Sequence, residues 1–189
     1  MRIPTPAELT LAFEAKGYST PADVHLVFLR KKNGELDAFD DMACVLQGGV
    51  ELLLAARCTT DPGKAHRMKP MNADGCAVWA AGQVTGAMKF GKHKGAYPAL
   101  VPAKPIPVLR FSSVADQTGT PSTSKTTNIH RASASHESKV VGLYSAGCLV
   151  LANPADFDDE ANQTSDKTLM GRCRASGQSL FTVTLLEWA

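Results

Sequence analysis

A succession of short β-prone segments, broken by turn residues, is the feature that most constrains how this chain folds. Asn33-Gly34, a strong hairpin signal, follows a strand-like run at 24–30, and a partner strand is expected within 35–46. Further strands are predicted at 52–59, within 75–90, and at 106–111, 126–130, 140–144 and 179–188. Strands and helices do not alternate regularly, which argues against a parallel βαβ fold. The expected fold is mainly β (α+β): a bent sheet or flattened barrel with a few short helices.

The length of 189 residues predicts one domain spanning 1–189. A threonine cap, a first-turn proline and a closing glycine predict a helix within 1–20, either as a short appendage or as the first helix of the domain. A second helix is expected to begin at Asn153. Polar composition predicts loops at 64–74, 91–98, 112–127 and 131–139.

Composition excludes several classes of protein. A hydrophobic content of 44% with 20% charged residues is that of an ordinary globular chain. The net charge of +2 and the absence of a clustered basic stretch argue against nucleic-acid binding. No apolar run reaches the roughly 18 residues of a membrane span, so no integral membrane segment is expected. No apolar signal sequence is visible at the N-terminus either, so synthesis in the cytoplasm is expected.

The cysteines indicate reduced thiols instead of a disulfide framework. There are five of them, without CxxC spacing, so the sequence predicts neither a zinc site nor any other cofactor. They are Cys44, Cys58, Cys76, Cys148 and Cys173.

One cysteine lies in a context that suggests nucleophilic catalysis. Cys148 follows Gly147 and opens an apolar run, and His130, eighteen residues earlier, ends a β-prone run. A thiol is only a few per cent ionised at neutral pH, and a neighbouring imidazole can activate it. Glycine permits a sharp bend beside the nucleophile, and amides there can face an oxyanion. The alternative is a core cysteine, because free cysteine is among the most buried residue types.

The arrangement of His130 and Ser145-Ala146-Gly147-Cys148 resembles the active-site motif of the L,D-transpeptidase-like cysteine enzymes of bacterial peptidoglycan. The resemblance implies a bent β-sandwich or flattened barrel with Cys148 as nucleophile and His130 as base. It further implies that the Arg131 carbonyl orients the imidazole and that the amides of Gly147 and Cys148 form the oxyanion hole. It includes Ser145 among the catalytic residues.

The chain departs from that motif at two places. The histidine usual before the glycine is Ala146, and Leu149 replaces the arginine or asparagine usual after the cysteine. A looser likeness to uncharacterised phage-type and prophage-type relatives extends over 59–63 and 91–100.

Two further segments supply candidate substrate-binding residues. The 91–98 loop contains His93, Lys94 and Tyr97, which are suited to binding a stem-peptide carboxylate, although a solvated basic turn is the alternative. His136 lies in a serine-rich turn and is a rival base or a further substrate contact, with an exposed, inert histidine as the alternative.

The resemblance implies acyl transfer at peptidoglycan stem peptides through a thioacyl-enzyme. The main expectation is hydrolysis by an L,D-endopeptidase or carboxypeptidase, which would be endolysin-like or a delivered toxin. Crosslinking by a transpeptidase is the alternative. The protein is expected to be a monomer that reaches the periplasm or cell wall through a holin or a secretion machine. Two alternatives remain open: a non-catalytic wall-binding or phage structural module, and a metal site of His130, His136 and Cys148.

Overall fold

The computed structural model describes residues 2–159, 162 and 165–189. The helices are α1 (Pro6–Lys16), α2 (Lys64–Met68), α3 (Pro154–Phe157) and α4 (Leu169–Ala175). The first seven strands are β1 (His25–Lys31), β2 (Asp41–Gln47), β3 (Glu51–Thr59), β4 (Cys76–Trp79), β5 (Gly82–His93), β6 (Tyr97–Pro102) and β7 (Ile106–Phe111). The last four are β8 (Thr120–Ser124), β9 (Ile129–Arg131), β10 (Leu149–Leu151) and β11 (Phe181–Trp188).

The protein is mainly β, as the sequence predicted. Eight strands form a closed barrel in the order β1-β11-β5-β6-β9-β10-β3-β2, and a separate sheet has the order β4-β7-β8. Most neighbours are antiparallel, but β1 pairs in parallel with β11, and β9 in parallel with β10. The parallel pair β9–β10 sets Val150 opposite His130 and so brings two distant stretches of the chain together.

The barrel strands bury both faces because α1 covers part of the outside. Along β1, Leu26 and Phe28 belong to the main core cluster, whereas Val27 and Leu29 pack in a second cluster with Leu9 of α1. The Thr5 side chain caps α1 and Gly17 ends it in the left-handed conformation, as expected. Leu9 is fully buried, so α1 is an integral part of the packed structure instead of an appendage. Among the described residues, no helix combines the length and apolar character needed to cross a membrane.

Several predicted loops and strands differ from the structure. The predicted loop at 91–98 is the end of the β5–β6 hairpin, whose turn is reduced to residues 94–96. The predicted loops at 64–74 and 112–127 contain α2 and β8 respectively. The strand predicted at 140–144 is wrong: Val140 makes only an isolated bridge, and positive φ at Gly142 turns the chain.

Candidate active site

Two adjacent parallel strands bring the predicted nucleophile and base together. His130 is the middle residue of β9, and Cys148 immediately precedes β10. The Leu149 amide donates to the Asn128 carbonyl at 2.9 Å, which fixes the relative height of the two strands at this point. The Cys148 sulfur and one ring nitrogen each of His130 and His93 all lie within 4.8 Å of one another.

The turn before Cys148 is shaped by hydrogen bonds of the buried Ser145 and by the close approach of Ala77 to Gly147. The Ser145 hydroxyl donates to the Cys148 carbonyl at 2.8 Å and accepts from the Gly147 amide at 3.2 Å. Gly147 has φ of +124°, and a Cβ at this position would lie 2.5 Å from the Ala77 carbonyl oxygen of β4. Glycine is therefore required here by both conformation and space. Ser145 acts on the shape of this turn, which presents the sulfur.

These hydrogen bonds distinguish the Gly147 and Cys148 amides, the two oxyanion-hole donors that the resemblance implies. The Gly147 amide already donates to Ser145, so it is engaged within the turn. Within the described part of the chain, we find no acceptor for the Cys148 amide. The Cys148 amide is thus the better-placed donor for an oxyanion formed beside the sulfur.

The hydrogen bonds of His130 determine which ring nitrogen is the base. Nδ1 lies 2.7 Å from the Arg131 carbonyl oxygen, which can only accept, so Nδ1 carries the proton. Nε2 is then the unprotonated nitrogen. It is buried and has no hydrogen-bond partner among the described residues.

Tyr97 supports this arrangement and is not among the residues that line the cavity at the site. Its hydroxyl donates to the Arg131 carbonyl at 3.2 Å and lies 3.0 Å from His130 Nδ1. The Arg131 guanidinium in turn lies 4.2 Å from the centre of the Tyr97 ring, within cation–π range. The substrate contact predicted for Tyr97 stays a prediction, and the structure adds a contact of its hydroxyl with the histidine.

His93 and Asn128 form the other side of the site. The His93 ring stacks on His130, with ring centroids 3.8 Å apart. The Asn128 side-chain nitrogen lies 3.1 Å from His93 Nδ1, and its backbone amide donates to the Cys148 sulfur at 3.3 Å. Sequence reasoning gave Asn128 no role. Asn128 lies two residues before His130, and residues at this spacing share one side of an extended chain, so the spacing could have indicated a place beside the histidine.

Burial keeps the cysteine and the histidine neutral in this conformation. Burial, with a smaller opposing effect of the Asn128 amide, raises the pKa of the Cys148 thiol to about 11. Burial, followed by the neighbouring His93, lowers the pKa of His130 to about 3. The imidazole therefore does not increase the resting thiolate fraction, contrary to the expectation from sequence.

A cavity of about 820 Å³ opens beside Cys148 and carries positive charge. Four permanently basic side chains line it, and no aspartate or glutamate does among the described residues. The four are Lys92, Lys94, Arg110 and Lys125. Lys94 and His93 thus lie where the sequence predicted substrate contacts.

His136 lies apart from the cluster. Its Nδ1 is 3.0 Å from the Ser133 hydroxyl and 3.3 Å from that of Ser135, and it does not line the cavity. The alternative metal site that the sequence left open included His136, which is not part of the group formed by the described residues. His93, and not His136, groups with His130 and Cys148 among the described residues.

No protein-family model, curated protein or solved structure matches this chain.

Proposed function

We propose that the protein is a cysteine acyl transferase that acts on peptidoglycan stem peptides through a thioacyl-enzyme, with hydrolysis as the main outcome. The observation that carries the proposal is the grouping of the Cys148 sulfur with a ring nitrogen of His130 within 4.8 Å. Beside it, the buried Nε2 of His130 has no hydrogen-bond partner among the described residues. The peptidoglycan substrate is inferred from the resemblance of the His130 and Ser145–Cys148 segments to the L,D-transpeptidase-like enzymes.

The first half-reaction uses the neutral pair directly. As the Cys148 sulfur attacks the substrate carbonyl, His130 Nε2 takes the thiol proton, and the Arg131 carbonyl stabilises the resulting imidazolium through Nδ1–H. The Cys148 amide donates to the oxyanion, a contribution of about 3 kcal/mol in comparable sites. The imidazolium then protonates the leaving amine, which leaves a thioester on Cys148.

The second half-reaction transfers the acyl group to water or to an amine. His130, again neutral, deprotonates the acceptor as it attacks the thioester, and the thiol regains its proton. Water completes hydrolysis by an endopeptidase or carboxypeptidase, and an amine completes a crosslink by a transpeptidase.

The charge of the cavity suits the proposed substrate. Stem peptides carry free carboxylates, and the cavity presents lysine and arginine side chains, with no acidic side chain among the described residues that line it. Its volume of about 820 Å³ lies within the range of small-ligand sites, enough for a peptide fragment.

The test is incubation of wild-type protein with purified peptidoglycan of the diaminopimelate and lysine types, followed by mass spectrometry of the released fragments. Wild type is expected to cleave at an L,D bond, and Cys148→Ala is expected to release nothing while remaining folded. Cys44→Ala is the control, because Cys44 is another buried cysteine, lies in β2 and does not line the cavity. Full activity in Cys148→Ala refutes the mechanism.

A paired histidine experiment tests the assignment of the base. His130→Ala is expected to lose at least a hundredfold in turnover, the lower range of general-base contributions, whereas His136→Ala is expected to retain it. Equal losses would contradict the choice of His130. Binding of walls by wild type without turnover would instead support a non-catalytic module.

A further inference from the structure

We infer that His93, His130 and Cys148 form a binding site for one divalent cation of borderline softness, with Zn²⁺ as the representative ion. The inference concerns binding and goes beyond the proposed acyl transfer. Two imidazoles and one thiolate are preferred zinc ligands, and three protein ligands with an open fourth position are typical of accessible zinc sites. The donor atoms here lie within 4.8 Å of one another. In a closed tetrahedral site, neighbouring ligand atoms are roughly 3.5 Å apart.

The buried Nε2 of His130 is the second observation that indicates a ligand. It has no hydrogen-bond partner in the described part of the chain, which is costly for a buried polar atom. The opposite nitrogen, Nδ1, donates to the Arg131 carbonyl. Zinc-binding histidines usually make this outer contact, because it fixes the tautomer that leaves the other nitrogen free for the metal.

The imidazole ring of His93 must rotate before it can bind the ion. Two imidazoles bound to one zinc ion have centroids roughly 5 Å apart, whereas the His93 and His130 rings are stacked at 3.8 Å. His93 ends β5 beside the hairpin turn and is only half-buried, so its ring has room to rotate. Coordination through Nε2 also requires a proton on Nδ1, and rotation of the Asn128 amide then presents an oxygen to accept it.

The remaining partner is the thiol. Cys148 loses its proton to solvent on coordination, and the Asn128 backbone amide, already directed at the sulfur, stabilises the resulting charge. The fourth position faces the cavity, where Lys94 and its neighbours favour an anionic fourth ligand such as chloride or a carboxylate. A bound ion occupies both Nε2 and the sulfur, so it would reversibly block the proposed acyl transfer.

The experiment is titration of the reduced, chelator-treated full-length chain with Co²⁺, a spectroscopic substitute for Zn²⁺, followed by displacement with Zn²⁺. We expect one equivalent to bind with a thiolate-to-cobalt charge-transfer band. Cys148→Ser should lose the band, and His93→Ala should bind at least tenfold more weakly. Asn128→Asp, which offers His93 a carboxylate acceptor, should bind more tightly than wild type.

His136→Ala and Cys44→Ala are the controls and should match wild type, because neither residue lines the cavity. A charge-transfer band that persists in Cys148→Ser overturns the site, as does unchanged affinity in both His93→Ala and His93→Gln. Absence of stoichiometric binding by wild type also overturns it. Since the readout is an absorption band, failure of wall cleavage with intact cobalt binding refutes only the proposed function, and the reverse result refutes only the metal site.

Discussion

The Nδ1 atom of His130 lies 2.7 Å from the carbonyl oxygen of Arg131, the residue next to it in the chain. Because a carbonyl cannot donate, this contact fixes the proton on Nδ1 and leaves Nε2 as the basic nitrogen. In the proposed mechanism, the backbone of β9 itself therefore orients the base. The Tyr97 hydroxyl donates to the same carbonyl at 3.2 Å and supports this contact.

Tyr97→Phe should therefore reduce turnover of wall fragments without weakening substrate binding. Loss of one neutral hydrogen bond of about 1 kcal/mol corresponds to roughly a fivefold lower kcat, with KM nearly unchanged. Tyr18→Phe, which alters a tyrosine packed beside Phe13, is the control. A raised KM with unchanged kcat would instead restore the substrate-binding role predicted from the sequence.

The pH dependence of Cys148 alkylation tests the neutral resting pair. With the thiol pKa raised to about 11 by burial, the thiolate fraction should grow about tenfold per pH unit from neutral pH towards pH 10. Iodoacetamide labelling, quantified by peptide mass spectrometry on samples shown to be folded, should follow that slope. A rate independent of pH between about 5 and 9 would reveal a thiolate–imidazolium pair and contradict the prediction.

Gly147→Ala should destabilise the fold as well as the site. An alanine here would have to adopt a positive φ, which costs about 1–2 kcal/mol. Its Cβ would also lie 2.5 Å from the Ala77 carbonyl oxygen, so β4 would have to move. We expect a loss of at least 3 kcal/mol in urea unfolding, or no folded protein. Gly95→Ala is the matched control, since Gly95 also has positive φ but open space around it, and should lose only about 1 kcal/mol.

His25 should make the protein sensitive to acid. It is fully buried against Phe13, and burial lowers its pKa from 6.5 to about 4. The unfolded chain therefore binds the proton more readily, and stability is lost as pH falls from about 6.5 to 4, by roughly 3 kcal/mol. His130 adds to the loss in the same direction, down to pH of about 3.

Urea unfolding of wild type and His25→Leu at pH 7 and pH 4 isolates the contribution of His25. The variant should lose less stability between the two pH values than wild type does. The exposed His136 provides the control substitution, His136→Leu, which should retain the wild-type dependence. Identical pH dependence in wild type and His25→Leu would show that the buried imidazole is not a source of acid sensitivity.

The strands were predictable where the signal is local. The apolar runs and turn residues of β1, β2, β7 and β11 depend on neighbours within a few positions, and these strands appear close to their predicted bounds. By contrast, α4 was not predicted, because its seven residues are too few for intrinsic helix stability. Tertiary burial of Leu169 and Cys173 holds it in place.

The candidate site also contains residues that local sequence predicts and residues that only the tertiary structure brings together. Cys148 and His130 were singled out because they stand at the edges of short apolar or β-prone runs, in an arrangement that resembles a known motif. The contacts of His93 and Asn128 depend on the barrel's placing β5, β6 and β9 side by side, and no spacing in the sequence encodes that order. The contact of Tyr97 with the Arg131 carbonyl was not predicted for the same reason, since that carbonyl lies across the β6–β9 boundary.

Strand β11 lies between β1 and β5 in the closed barrel. During synthesis from the N-terminus, the ring of strands therefore stays open until the last stretch of the described chain has left the ribosome. A product interrupted before Phe181 would expose two unsatisfied strand edges, which are templates for aggregation. The nascent protein consequently depends on the synthesis of β11 to close its barrel.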